Sequence, residues 1–179
     1  MLNRESRIDT DMLIWLISRV YLHQNQYTVT DGEILTVNNI IGFRGGTTDD
    51  ITRISAAGNT VLNILSTLSF ILESNNLKQT MLRLSYKQNS NIELKLYSNG
   101  TVGIETGSYI GEFDDDTNND LKKAKLYLLV YLVIIPLLCE WYGDNIWNSK
   151  KYQEFLREIG ESLSKKINEK INEIPSEDE

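Results

Sequence analysis

The carboxylates that follow residue 113 are the densest group of side chains here that could bind a metal ion. The run Asp114–Asp116 is followed by Asn118 and Asp120 at the spacing of an EF-hand calcium loop. Such a loop also needs Gly at its sixth position and Glu at its twelfth. The chain has Asn119 and Lys125 at those positions. We therefore predict no metal site, and we expect these acids to cap and solvate the helix that follows.

Side chains that serve as catalytic bases and nucleophiles are scarce. His23 is the only histidine and Cys139 the only cysteine, which excludes multi-histidine metal sites and a disulfide within the chain. Cys139 lies in an apolar run, where a thiol is usually an inert packing residue. Carboxylate-only chemistry stays open, but nothing in the spacing of Glu93, Glu105 and Glu112 requires them to converge. We predict no catalytic residue and no cofactor, and favour a protein that is not an enzyme.

A glycine-rich segment, Gly42–Thr48, precedes a predicted helix start and so invites comparison with a phosphate loop. No lysine follows the glycines, and Asp49 and Asp50 would repel a phosphate group. We interpret the segment as a linker between helices. Arg44 is the one residue in it that could contact an anionic partner.

The charge balance of the 179-residue chain points to a class of partner. There are 25 acidic and 18 basic residues, a net charge of −7, and 14 of the acids follow residue 113. This balance argues against a nucleic-acid partner, because phosphate contacts need clustered lysine and arginine. An acidic surface instead complements a protein with a basic surface. The predicted partner-binding residues are Asp114, Asp115, Asp116, Asp120, Arg44 and Trp147.

Helices are predicted in the N-terminal third. Asp9 or Thr10 can cap a first helix over about residues 10–23. The dipeptide Asp31-Gly32 is a hairpin signal, but Thr30–Glu33 is also a capping box ahead of a short helix. We favour the short helix and keep the hairpin as the alternative.

A long helix is predicted after the glycine-rich linker. Thr47 or Thr48 would cap it, and apolar residues recur at steps of three and four as far as Leu72. Two short helices before a longer one loosely fit a helix-turn-helix, with Arg44 and Arg53 placed to meet phosphate. A DNA-binding regulator is therefore an alternative function. The two aspartates at the start of the third helix count against it.

The middle of the chain changes to a period of two, which predicts a small antiparallel β-meander over about residues 79–113. With a three-residue loop at Ser98–Gly100, Leu96 pairs with Val102 and the apolar residues share one face. A two-residue loop would place them on the polar face. A further strand through Tyr109–Phe113 is expected to complete the meander.

Two helices are predicted at the C-terminal end. Leu126–Cys139 is a run of 14 residues without a charge, interrupted by Pro136, which should kink or end a helix. The run is shorter than the roughly 20 residues of a membrane span, so we predict a buried core helix. The last helix, about residues 147–173, has a narrow apolar stripe. It either docks on its own domain or forms a homo-oligomer.

Together these elements predict an α+β fold: N-terminal helices, a small antiparallel sheet and two C-terminal helices. We expect one domain over residues 1–174, with 147–174 a possible helical appendage and 175–179 an acidic tail. The single cysteine and the N-terminus suit the cytoplasm. The favoured function is a non-enzymatic binding protein of inhibitor, immunity or adaptor type. The chain is rich in Asn, Ile and Lys, which suggests an AT-rich genome and a mobile element as its source. The remaining alternative is a small-ligand or nucleotide binder, or a hydrolase.

Overall fold

One antiparallel sheet organises the fold, and the helices pack against one of its faces. The computed structural model describes residues 8–46, 53–57, 65–73, 76–114 and 118–173. The strands are β1 (Gln26–Thr28), β2 (Ile34–Gly46), β3 (Arg53–Ala57), β4 (Asn76–Tyr86), β5 (Asn89–Tyr97) and β6 (Val102–Glu105). The helices are α1 (Thr10–Tyr21), α2 (Leu65–Glu73), α3 (Asn119–Leu129), α4 (Ile135–Asp144) and α5 (Ser149–Asn172). The predicted α+β class is confirmed.

The strands follow the order β1-β2-β4-β5-β6, and β3 pairs with the far half of β2. Every pairing is antiparallel. Side chains alternate between the two faces of the sheet, as the period of two requires. The helix-covered face holds Leu35, Val37, Leu82, Leu84, Tyr86, Ile92, Leu94 and Leu96. The opposite face carries two cross-strand ion pairs, Arg83–Glu93 at 2.7 Å and Lys95–Glu105 at 3.8 Å.

The predicted meander is confirmed in its register. Leu96 pairs with Val102 and Leu94 pairs with Ile104 across the three-residue loop. Gly100 in that loop has a φ of 87°, a conformation that glycine adopts without strain. The further strand expected at residues 109–113 is reduced to one bridge between Ser90 and Ile110. The rest of that segment is a loop, held by side chains rather than by a ladder.

Helix α1 is the most deeply buried helix of the fold. Asp9, one of the two caps that the sequence allowed, accepts a hydrogen bond from the Met12 amide at 2.9 Å. Seven consecutive residues, Met12 to Ser18, are buried. Trp15 packs edge-on against Trp141 of α4, with ring centroids 4.9 Å apart. A helix buried on most sides carries apolar residues around most of its circumference, as Met12–Ile17 do here.

The short helix predicted after the capping box Thr30–Glu33 is wrong, and the hairpin alternative is right. Thr28 pairs with Ile34 across a turn that contains Asp31-Gly32, and the chain continues as β2. Two of the three irregularities in the β2–β4 register, after Val37 and after Ile40, each add one residue to β2. A bulge of this kind changes the spacing of the buried side chains, which is what made the segment resemble a helix.

The predictions of an interhelical linker and of a long helix after it are also wrong in large part. Gly42–Gly46 is the end of β2, where it pairs with both β3 and β4. Arg53–Ala57 is a strand, and only Leu65–Glu73 is helical in the described part of this segment. The proposed caps Thr47 and Thr48 lie outside the described residues. The helix-turn-helix interpretation therefore loses its second helix and the start of its third.

The C-terminal helices are present, and Pro136 does not end the first of them. A π-helical turn, Val130–Ile134, joins α3 to α4, so that Asn119–Asp144 forms one continuous helix, called here the long helix. The Ile135 amide donates to the Val130 carbonyl, five residues back. This wider turn lies next to Pro136, whose ring would clash with a regular α-helical turn.

Helix α5 docks on its own domain through the first half of its stripe. Phe155, Ile159 and Leu163 are buried, and α5 packs against α2. Ile167 and Ile171 continue the same stripe at steps of four but are 48% and 57% exposed. The docking alternative is therefore correct for the first three turns of the stripe.

Candidate functional site: the outer face of the long helix

The long helix is apolar on both of its sides. Its inner side is fully buried at Leu126, Val130, Ile134 and Leu138. Trp141 continues that side and packs against Trp15 of α1. The predicted core helix is thus confirmed on this side only, because the opposite side faces outward.

The outward side presents a continuous strip of large apolar residues. We call it the outer face and define it as Leu121, Ala124, Tyr127, Leu128, Tyr131 and Leu132. Leu128 is 58% exposed and Leu132 is 69% exposed. Scattered apolar residues are normal on protein surfaces, whereas a contiguous strip of them marks a site of interaction.

The outer face is held rigidly in place. The Tyr131 hydroxyl donates to the Val102 carbonyl at 3.0 Å, which ties the helix to edge strand β6. The rings of Tyr127 and Tyr131 lie 6.3 Å apart and support each other along the helix. At the start of the helix, the Lys122 ammonium lies over the ring of Tyr109 at 5.4 Å. A partner would therefore meet a preformed surface and would not have to order it.

The acidic residues predicted as a partner site are partly structural. Asp114 accepts hydrogen bonds from the Lys122 ammonium at 2.5 Å and from the Gly111 amide at 2.8 Å. These two bonds lower the pKa of the Asp114 carboxyl. Asp120 is exposed in the first turn of α3, where its negative charge interacts favourably with the positive end of the helix dipole. Asp115 and Asp116 lie outside the described residues.

The other two predicted residues lie elsewhere. Arg44 is exposed in β2, opposite Gln79 of β4. Trp147 is half-buried and packs against the rings of Tyr152 and Phe155, so it supports the start of α5. The structure brings Asp114 to Lys122 in the long helix and places Asp120 in the first turn of that helix, whereas Arg44 and Trp147 lie on separate elements.

Sequence similarity adds nothing to this geometry. No family model, curated protein or solved structure matches the chain.

An acid-rich area surrounds the far end of the long helix. The Tyr27 hydroxyl donates to Asp144 at 3.0 Å, and burial together with Asp144 and Glu140 raises the pKa of Tyr27 to about 12. Burial, followed by Asp9 and Asp11 of α1, raises the pKa of Tyr142 to about 12. Four carboxylates therefore act on two neighbouring tyrosines. We call this area, defined by Asp9, Asp11, Glu140 and Asp144, the acidic end.

A polar cleft of about 890 Å³ lies between the end of α1, strand β2 and helix α5. Its polar side chains include His23, Asn38, Asn39, Glu158, Glu161 and Lys165. Among the described residues no group of three His, Cys, Asp or Glu side chains could hold a metal ion. The cleft is where the small-ligand alternative would place its ligand.

His23 occupies a backbone position at the cleft that favours glycine. It follows α1 with a φ of 55°, and the next amide, Gln24, closes the helix by donating to the Arg19 carbonyl at 2.8 Å. This is a Schellman ending, in which the left-handed residue is usually glycine because other residues pay a steric cost.

We expect His23→Gly to raise the free energy of unfolding by about 0.5–1 kcal/mol, because relief of the left-handed strain outweighs the added freedom of the unfolded chain. Urea denaturation followed by circular dichroism measures the change, and His23→Ala is the control that should bring no gain. A loss of stability in His23→Gly would show that the imidazole makes a stabilising contact in the cleft.

Proposed function

We propose that this chain is a non-enzymatic protein that works by binding other protein chains, with the long helix as its contact element. One observation carries the proposal: the outer face is apolar, continuous and exposed, with Leu132 69% exposed. Covering such a strip removes apolar area from water at a gain of roughly 25 cal/mol per Å². This favours a form of the protein in which another surface covers the strip.

A membrane is a less suitable binding partner for the outer face than a protein is. The long helix has 26 residues and contains an 18-residue stretch with a mean hydropathy of 1.8, enough by length and composition to cross a membrane. Spanning would pull Leu126, Val130 and Leu138 out of the core, where all three are fully buried. Lying on an anionic membrane is opposed by the net charge of −7 and by the acidic end.

The acidic end supports a partner with a basic surface. Glu140 and Asp11 are exposed there, on two helices that pack together. Carboxylates beside an apolar strip increase the rate and specificity with which a basic protein associates. An inhibitor, an immunity protein or an adaptor in a reducing compartment would act in this way, and we propose a function of that kind.

Native mass spectrometry of the untagged protein, purified from its source organism, tests the proposal. We expect a mass above the 20.6 kDa of one chain. The double variant Leu128→Gln/Leu132→Gln should weaken the complex by about 50-fold and leave the single chain, because each substitution places an amide in an apolar contact. Ile146→Gln is the matched control, since Ile146 is 72% exposed outside the outer face.

The same preparation tests the acidic end. Asp11→Asn/Glu140→Gln should weaken a complex with a basic partner, whereas Glu169→Gln/Glu173→Gln, which removes the same charge from α5, should not. A bare 20.6 kDa chain in the wild type contradicts the proposal. A single chain with a small molecule still bound would instead indicate that the protein binds a small ligand in the cleft.

A further inference from the structure

A gap in one edge of the sheet accounts for the polar cleft. Strand β4 pairs along one edge of β2, whereas the other edge is shared by β1, at residues 34–36, and β3, at residues 42–46. Between these two pairings, residues 38–41 have no strand beside them on that edge within the described chain. The end of α1 and the middle of α5 line the same space, and the cleft lies between these three elements.

Two irregular backbone positions on different elements bring polar side chains to this cleft. His23 lines it with a φ of 55°, in a position where glycine is favoured. Asn38 lines it from a bulge, because the register shift after Val37 leaves Asn38 without a pairing residue in β4. Asn25 fixes this bulge, since its carbonyl accepts from the Val37 amide and its side-chain amide donates to the Val37 carbonyl, both at 2.9 Å. Irregular positions that persist in a fold concentrate at binding sites.

The walls of the cleft combine hydrogen-bond donors and acceptors without an excess of either charge. Three asparagines and His23 line one side, while two glutamates, two lysines and a serine of α5 line the other. The carboxylates of Glu158 and Glu161 only accept hydrogen bonds, whereas an asparagine side chain both donates and accepts. A phosphate group would meet the two glutamates, and a polyamine would meet the two lysines. These walls therefore suit a neutral ligand that both donates and accepts.

Part of the cleft is apolar. Val20, Tyr21, Leu22 and Ile40 lie among its polar residues. The ring of Tyr21 is half-buried and packs edge-on against Phe155, with ring centroids 6.0 Å apart. A sugar combines the same two characters, because its hydroxyl groups donate and accept while the C–H groups of its ring form an apolar face. Ligand sites commonly join apolar contacts of this kind to a few polar groups that fix orientation.

From these observations we propose that the cleft binds a neutral sugar. Its volume of about 890 Å³ lies toward the upper end of the range of ligand sites, which leaves room for more than one sugar ring. The outer face and the cleft share no residue, so this inference goes beyond the proposed function and does not depend on it.

The amide proton–nitrogen NMR spectrum of the full chain tests the proposal by titration with neutral mono-, di- and trisaccharides of glucose, galactose, mannose and N-acetylglucosamine. At least one of them should saturate the protein with a dissociation constant of roughly 5 mM or below, and its shifts should centre on His23, Asn38 and Glu161. Absence of saturation by every sugar would overturn the proposal. Saturation at these residues by spermidine or inorganic phosphate instead would overturn the neutral class of ligand.

Three variants test the place of binding. Asn38→Ala should raise the dissociation constant at least about fivefold, because an amide that donates and accepts is lost from the cleft. Asn119→Ala, at an exposed asparagine that starts α3, is the matched control and should leave it unchanged. His23→Gly should weaken binding while it stabilises the fold, so that this loss of binding cannot come from unfolding. Unchanged binding in both Asn38→Ala and His23→Gly would overturn the inference, because the sugar would bind elsewhere.

Discussion

Leu138→Ala is expected to lower the free energy of unfolding by about 2–5 kcal/mol, whereas Leu132→Ala, six residues earlier in the same helix, should change it by less than about 0.5 kcal/mol. Leu138 is fully buried, so its truncation removes apolar contacts and leaves a cavity in the core. Leu132 is 69% exposed, and its truncation leaves no cavity. The pair compares one residue type on opposite sides of one helix.

Urea denaturation followed by circular dichroism measures both changes. The protein concentration must be low, since association through Leu132 would otherwise add to the apparent stability. Losses of equal size at the two positions would show that the outer face packs against its own chain, and the binding surface proposed here would disappear.

Gly111→Ala and Gly160→Ala are expected to change stability in opposite directions. A Cβ atom at Gly111 would lie 2.6 Å from Asn89 Oδ1, 2.7 Å from the Tyr109 hydroxyl and 2.9 Å from the Asn89 Cα. Because the backbone of residue 89 is among these neighbours, the loop must move, at a cost of about 1–3 kcal/mol. Movement also disturbs the buried hydrogen bond from the Tyr109 hydroxyl to Asn89.

Gly160 is the matched control because a Cβ atom there meets nothing within 4 Å. It lies inside α5, where alanine is favoured over glycine by about 0.5–1 kcal/mol. Thermal unfolding should therefore show a lower midpoint for Gly111→Ala and a higher one for Gly160→Ala. A Gly111→Ala protein as stable as the wild type would mean that the loop around Asn89 is not fixed as described.

Local signals were sufficient where one physical cause decides the conformation. Asp9 was predictable as a helix cap because its carboxylate satisfies an amide that has no partner within the helix. The register of the β5–β6 hairpin was predictable because a slip by one residue would expose Leu94 and Leu96. Both predictions depend on neighbours close in sequence, and both are confirmed.

Strand β2 was not predictable in this way. Its side chains in the main core, Leu35, Val37, Ile40 and Phe43, are spaced by two, three and three, because two of the register shifts each add a residue to β2. A spacing of three is a helical signal, and only the partner strand β4 shows that it arises from a bulged strand. Tertiary pairing decides the structure here, as it does for Arg53–Ala57 in β3.

The outer face could not be found from the apolar run alone. The sequence of residues 126–139 is apolar on all sides and predicts burial, but which side is covered depends on where α1 and the sheet lie. A signal did exist just ahead of the run. Leu121 and Ala124 are three residues apart, and Lys123 between them marks that turn as solvated.

The π-helical turn at Val130–Ile134 fixes the angular phase between the two halves of the long helix. Its i→i−5 bond takes up one residue more than an α-helical turn, so the flanking helices keep the phase that they would have without that residue. Deleting a single residue there should leave Trp141 and the outer face close to their present directions. The same deletion elsewhere in the long helix would rotate one half by about 100° against the other. Related chains should therefore tolerate the loss of one residue at this turn more readily than at any other place in the helix.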